Sequence, residues 1–367
     1  MRIVVYCERL VEPFDEGIKN VALQLIQALR GEHEVRALTS YGADHKAYGV
    51  RNVPSNPLAL SPWLARAVRR FAPDLTIYIP TAAATPMSFF RSRMLRLYGR
   101  HAPVALVALQ VRSYAFVARC IMPRCQPDVL VAQGPKTLDT LEELGCRVQM
   151  LSPAVDVERF HPRCRHHRDE VLAQLGLVAP GERGASPRIA LHVGHLNRGR
   201  NLQALIPIQA FARVQVVVVG SGSTPHDESL VRELQEAGVC VVAEHIPDIE
   251  QVYGAADCYV FPAEGANSAI DIPLSVLEAM ATDLPVVTTR FGGLPTHFGP
   301  SASLRYVDDM VTLAEMVSDV LEAPQRGNRA LVEPYTWQRA AGAIVAHLHA
   351  DGREPAAGWE RSGQGAP

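Results

Sequence analysis

No stretch of this chain is apolar over the roughly 18 residues that a bilayer-crossing helix requires, so no spanning helix is expected within it. No signal peptide is expected either. The first strand pattern, Arg2-Ile3-Val4-Val5-Tyr6, starts beside Met1, and a cytoplasmic protein is therefore expected. The seven cysteines (Cys7, Cys120, Cys125, Cys146, Cys164, Cys240 and Cys258) are odd in number, and most lie in or beside apolar segments. That pattern points to reduced, buried thiols and away from a disulfide framework. Cys120 and Cys125 have no second pair at metal-ligand spacing, so no metal site is expected. A net charge of −2 without a nucleic-acid motif speaks against a nucleic-acid partner. Acidic residues are missing altogether from Leu75 to Gln126, where Arg91, Arg93, Arg96, Arg100, Arg112, Arg119 and Arg124 occur. The opening loop is the reverse, with Glu8, Glu12, Asp15 and Glu16 crowded ahead of Gly17.

What the chain does have is a steady alternation of strand and helix patterns. With 367 residues, 48% of them hydrophobic and 20% charged, it is long enough for two globular domains with sizeable cores. Strands are expected at Ile3–Cys7, Val35–Leu38, Leu75–Ile79, Val104–Leu109, Val129–Ala132 and Val148–Leu151. An amphipathic helix is expected over Gly17–Arg30, with Ile18, Val21, Ala22, Leu25 and Leu29 on one face. A looser segment around residues 155–185, with Pro180-Gly181 and a short helix near Arg168–Leu175, reads as a linker. A second series follows at Ile189–Val193, Val214–Val219, Cys240–Ala243, Cys258–Phe261 and Val286–Thr289. The expected fold class is α/β, with two Rossmann-like domains of mainly parallel sheet facing a central cleft. The expected divisions are 1–160, 161–335, a helix at 336–350 returning to the first domain, and a disordered tail at 351–367.

Ligands of open parallel sheets bind beyond the carboxyl ends of the strands, so the post-strand loops carry the chemistry. Three of them stand out. Gly194-His195-Leu196-Asn197-Arg198-Gly199-Arg200 offers a tight turn and two guanidinium groups ahead of a helix, which suits an anion; a solvated basic turn explains it equally. Gly220-Ser221-Gly222 follows an apolar strand and lets backbone approach a ligand, a weak signal alone. In the third, Pro262 ends a strand, a loop of small and acidic residues runs from Ala263 to Ile272, and a helix begins with Pro273 in its first turn. The amides of Leu274, Ser275 and Val276 are then free to face a phosphate. Glu278, among Leu277, Ala279, Met280 and Ala281, is costly to bury unless it binds donors such as the two hydroxyls of a ribose; the plain alternative is a Glu turned to solvent.

Taken in register, these segments resemble the family 4 (group 1) glycosyltransferases of GT-B fold. The matching runs are Tyr259-Val260-Phe261-Pro262, Val276-Leu277-Glu278-Ala279-Met280-Ala281, Pro285-Val286-Val287 and Gly292-Gly293-Leu294-Pro295. Val155-Asp156 through Phe160-His161-Pro162 resembles the interdomain segment, and Tyr335-Thr336-Trp337 the crossing back. The likeness covers about half the chain. It implies a retaining, metal-independent transfer from a nucleotide diphosphate sugar, most commonly a UDP-sugar, which serves as substrate with no further cofactor. It also implies that Arg200 neutralises the diphosphate, helped by the amides at Leu274–Val276, with His195 at the position of the family's arginine; Gly194 and Arg198 belong to the same anion-suited loop. Glu278 would then hold the ribose, His245 and Ile246 the base, and Gly17 and Gly220 the close approach of backbone. The absence of a metal-binding Asp-x-Asp agrees with this.

Several positions depart from the family pattern. Ile270 stands eight residues before Glu278, where the family has a sugar-contacting glutamate; Glu264 or Asp271 is left to supply the acid, Asp271 being nearer the helix start. His195 replaces an arginine, Gln110 a histidine and Thr296 a glutamate. The acceptor stays open. The interleaved Phe89–Leu97 helix suits a peripheral membrane contact and a lipid-linked glycan, whereas the acidic loop suits an amino sugar or aminocyclitol. Two alternatives to the transferase are a nucleotide-sugar 2-epimerase and an inactive nucleotide-sugar-binding partner subunit. Oligomeric state is not legible.

Overall fold

The computed structural model describes residues 1–81, 83–110, 112–178, 186–265 and 267–347. The linker dipeptide Pro180-Gly181, residues 348–350 of the returning helix and the expected disordered tail at 351–367 lie outside the described residues.

Among the described residues, thirteen strands form two parallel sheets. The first contains β1 (Arg2–Arg9), β2 (Glu34–Tyr41), β3 (Val50–Asn52), β4 (Leu75–Ile79), β5 (Val104–Ala108), β6 (Val129–Ala132) and β7 (Gln149–Met150), in the order β3-β2-β1-β4-β5-β6-β7. The second contains β8 (Arg188–Val193), β9 (Val214–Val219), β10 (Cys240–Val242), β11 (Cys258–Phe261), β12 (Val286–Thr289) and β13 (Leu304–Val307), in the order β10-β9-β8-β11-β12-β13. Central strands such as Leu75-Thr76-Ile77-Tyr78-Ile79 are buried along their whole length because helices cover both faces. In β1, Ile3, Val5 and Cys7 join the core on one side of the sheet, while Val4 and Tyr6 join that on the other.

The doubly wound expectation holds, and two strands were missed. β3 and β13 are both edge strands; β3 has only three residues and β13 carries Arg305, so neither shows the apolar run of a buried strand. The helix Gly17–Arg30 forms as expected and buries Val21, Ala22, Leu25, Ile26 and Leu29 against the sheet. The last helix, Trp337–Ala346, returns to the first domain, where Trp337, Ala340, Ala341 and Ile344 complete its core. Of the seven cysteines, all free, only Cys7, Cys146 and Cys258 are buried. Cys120 is exposed, which corrects the expectation that most are buried.

Each sheet reverses its strand order at one place, between β1 and β4 in the first and between β8 and β11 in the second. Loops diverge there and leave a crevice beyond the strand ends. The two crevices face one another.

Candidate active site in the interdomain cleft

A cavity of about 670 Å³ lies between the domains, within the size range of small-molecule sites. Its first-domain wall comes from the loop after β1 (Phe14 to Gly17), from Ile18 and Asn20 on the helix that follows, from Thr81 after β4 and from Gln110 after β5. The opposite wall comes from Gly194, His195 and Arg200 after β8, Gly220 and Ser221 after β9, His245 and Ile246 after β10, and Leu274, Ser275 and Glu278 after β11.

Arg200 is buried, and no salt bridge or side-chain hydrogen bond engages its guanidinium among the described residues. Its plane lies over Phe261, 5.5 Å from the ring centroid. Burial pulls its pKa down to about 10, and it remains a cation at neutral pH. Such a group is costly unless an anion joins it. Arg198, by contrast, turns outward to Asp227 (3.3 Å) and Glu233 (3.4 Å) on the neighbouring helix and does not reach the cavity. The helix expected after this loop is a pair of short 3-10 turns, Arg198–Arg200 and Leu202–Leu205, joined at Asn201 in the left-handed region. His195 lines the cavity; burial first and the nearby Arg200 second lower its pKa, so its imidazole is neutral at pH 7.

Glu278 is buried and accepts a hydrogen bond from Tyr253 Oη at 2.9 Å. Burial raises its pKa to about 7, against the opposing pull of that hydrogen bond and of Arg159. Pro273 caps the helix Leu274–Ala281 from outside its first turn, a small correction to the expected start. The Val276 amide donates to Pro273 O at 3.1 Å, which leaves those of Leu274 and Ser275 on the cavity wall. Val276 itself is fully buried and off the wall.

Glu264 and Asp271 were the two expected acids, and the structure puts neither on the cavity wall. Glu264 is exposed and accepts from Asn201 Nδ2 at 3.3 Å. The side chain of Asp271 is packed so closely against Gly134 that a Cβ there would lie 2.8 Å from Asp271 Cγ. The Asp271 amide donates to Leu109 O at 2.7 Å, across the domain boundary. Ile270 does line the cavity, packs with the first domain's core, and sits 3.3 Å from where a Gly17 Cβ would stand. Gln110 Nε2 donates to Asn267 O (2.9 Å) and Ala269 O (2.8 Å), tying this loop to the first domain. Gly220 leaves room for Leu196, whose Cδ1 would be 2.6 Å from an added Cβ.

The acidic loop is corrected in part. Glu8 does not line the cavity; it accepts from Tyr78 Oη and Thr81 Oγ1 and pairs with Arg91 at 2.5 Å. Glu12 pairs with His45 at 2.6 Å. Only Asp15 and Glu16 reach the cavity, and both hold the opposite domain. Asp15 accepts from Gly222 N (2.7 Å) and Ser223 Oγ (2.5 Å), and Glu16 from Ser223 Oγ (2.9 Å) and Lys19 (2.7 Å). The basic helix, Pro86–Tyr98, sends Arg91 inward to Glu8 and leaves Met87, Phe90, Arg93 and Leu97 exposed. No helix among the described residues is long and apolar enough to cross a membrane, and none of their His, Cys, Asp or Glu side chains group in a way that could hold a metal ion.

Two contributors escaped the sequence reading. Tyr253 lies in a helix pattern with nothing to mark its hydroxyl as the partner of Glu278. Arg159 lines the cavity and pairs with Glu250 at 2.8 Å; it stood inside the interdomain run without a role.

Two facing Rossmann-like domains with an anion-seeking cleft define the GT-B class of architecture. Residues 187–323 match the family described as Glycosyl transferases group 1, and the resemblance read from the motifs is borne out. Among curated relatives, the chain is 24% identical over 323 residues to the sulfoquinovosyl transferase SQD2 of Arabidopsis thaliana, covering 80% of this chain and 60% of that protein. It is 26% identical over 250 residues to the D-inositol 3-phosphate glycosyltransferase of Corynebacterium urealyticum, covering 59% and 55%. The alignments thus span about half to three fifths of these relatives' length. Among solved structures, HepE of Anabaena in complex with UDP-glucose superposes with a TM-score of 0.73 at 16% identity, over 95% of this chain and 100% of that one, which establishes the shared fold.

Proposed function

We propose that this protein is a retaining, metal-independent glycosyltransferase that moves a sugar from a nucleotide diphosphate sugar to a hydroxyl of a small-molecule, glycan or lipid-linked acceptor. The observation that carries this reading is Arg200, a buried guanidinium in the cleft without a counter-ion among the described residues, beside the amides of Leu274 and Ser275. That combination favours a diphosphate, most of all when a leaving phosphate gains charge. Glu278 takes the ribose hydroxyls, and His245 with Ile246 the base. A UDP-sugar is the first candidate donor, because HepE, of the same fold, was solved with UDP and with UDP-glucose.

In the proposed reaction the bond from the anomeric carbon to the diphosphate oxygen breaks, and a bond to the acceptor oxygen forms on the same face. The acceptor proton passes to the departing phosphate oxygen. Neutral His195 offers one hydrogen-bond donor or acceptor without adding charge. Asp271 and Glu264 reach the sugar only if their loops move from the places seen here.

The test is proton NMR of the purified protein with α-linked UDP-, GDP- and ADP-sugars and hydroxyl acceptors, with and without EDTA. An α-glycoside together with free nucleotide diphosphate, unaffected by EDTA, is the expected product. A β-glycoside would contradict retention. A 2-epimeric nucleotide sugar formed without acceptor would assign an epimerase, and binding without turnover would assign a partner subunit.

A further inference from the structure

A second cavity of about 290 Å³ adjoins the first, and Asn267 lines both. Its wall brings together Arg112, Arg119 and Lys136, with Tyr114, Thr140 and one carboxylate, Glu143. The three cations come from separate elements: the loop after β5, the helix Phe116–Cys125 and the first turn of the helix Pro135–Glu143. None of them makes an ion pair among the described residues, Glu143 included as a partner. Arg112 Nε is buried without a hydrogen-bond partner, and Arg112 Nη2 donates to Gln110 Oε1 at a long 3.4 Å. Elsewhere on this domain arginines do find carboxylates, as Arg91 finds Glu8 and Arg96 finds Asp128. Arg119 and Lys136 are exposed and Arg112 is half-buried, and an anion among the three would offset their mutual repulsion.

We propose that this cavity binds the phosphate of a phosphorylated acceptor, placing the acceptor's hydroxyl in the adjoining donor cleft. The acceptor assignment rests on the proposed transferase reading; the anion site itself does not. Arg112 and Arg119 supply forked donors suited to phosphate oxygens, Lys136 a point charge, and Thr140 a neutral hydroxyl. Glu143 lowers the positive charge of the wall without cancelling it. The phosphate belongs either to a soluble phosphomonoester or to a lipid headgroup, and the exposed Phe116 and Val117 lie on the helix that carries Arg119.

The full chain, as wild type, Arg112→Gln/Lys136→Gln and Arg200→Met, is titrated calorimetrically with glycerol 3-phosphate, with glycerol and with UDP. Parallel sedimentation uses vesicles of phosphatidylcholine with and without phosphatidic acid. The wild type is expected to bind glycerol 3-phosphate or the phosphatidic acid vesicles and to ignore glycerol and plain vesicles. The double variant is expected to lose that binding by about tenfold or more while keeping its unfolding midpoint and UDP affinity. Arg200→Met should do the opposite, losing UDP and keeping the phosphomonoester. Binding of the soluble ester identifies a soluble acceptor, and binding of the vesicles alone a lipid headgroup; both support the site. An unchanged titration in the double variant overturns it, as does a wild type that binds neither probe. If UDP fails to bind while the phosphate response survives, the transferase reading falls and the anion site stands.

Discussion

At the residue scale, burial in the cleft works against the charged forms of both Arg200 and Glu278. Among the described residues, no salt bridge or side-chain hydrogen bond offsets the desolvation of the buried Arg200 guanidinium. Arg200→Met keeps the apolar stem over Phe261, so the ligand-free chain should gain on the order of 1 kcal/mol of stability while diphosphate affinity falls. Denaturant unfolding and calorimetry check both halves; a destabilised variant with intact affinity would make Arg200 structural. Glu278 gives a pH signature. Its folded pKa, raised by burial to about 7, lies above the usual carboxylate value. Between those values the folded state holds a proton that the unfolded chain has lost, so this group's contribution is full at low pH and is lost as pH rises towards about 7. The ligand-free unfolding midpoint should therefore fall over this window, and Glu278→Gln should flatten that part of the profile. An identical profile in the variant would show that Glu278 does not titrate there. Ribose hydroxyls donating to the carboxylate favour its charged form, so nucleotide binding near pH 7 should release a proton, visible as a dependence of the calorimetric heat on buffer ionisation enthalpy.

At the element scale, the site depends on how closely the loop after β11 meets the first domain. Gly134 permits that approach, and Gly292 lets the loop after β12 of the same domain pass close to Asp271. An added Cβ at Gly134 would collide with Asp271, and Gly292, at a φ of +55°, would place one 2.0 Å from Asp271 O. Gly134→Ala should destabilise the chain by about 1–3 kcal/mol through overpacking and weaken nucleotide binding by spreading the walls. A variant indistinguishable from wild type in unfolding and binding would show that the contact yields freely. Much of this scale was legible beforehand. The buried strands announced themselves as apolar runs, and the helix Gly17–Arg30 by its periodicity. The edge strands β3 and β13 lacked the core pattern that burial imposes. The loops were found because glycines and cations follow apolar strands, but side-chain direction was not. Arg198 and Arg200, two residues apart, read alike until one proved to face Asp227 and the other the cleft. The expected acids fared similarly, since loop spacing says nothing about Asp271 turning towards Gly134. Tyr253 meets Glu278 only through tertiary packing across 25 positions of sequence.

At the scale of the whole molecule, the two domains meet through polar clasps around an apolar plug. Asp15 and Glu16 reach to Gly222 and Ser223, Gln110 reaches to the backbone near Asn267, and Ile270 and Leu274 join the first domain's core. An interface of this kind can open and close around a ligand. Asp15→Ala should shift the ligand-free molecule towards a wider separation, read as a larger radius of gyration in X-ray scattering, with nucleotide restoring part of the difference. No change in scattering would mean that the plug alone fixes the domains.

The central claim is that the cleft is a donor site built around Arg200 and Glu278. Its most direct test is calorimetric titration of UDP, GDP and ADP, and of the matching nucleosides, into the wild type, Arg200→Met and Glu278→Ala. One nucleotide diphosphate should bind the wild type. Glu278→Ala should weaken both that diphosphate and its nucleoside by about 1–3 kcal/mol. Arg200→Met should weaken the diphosphate far more than the nucleoside. No binding of any nucleotide diphosphate to the folded wild type, or binding that neither substitution changes, would contradict the account.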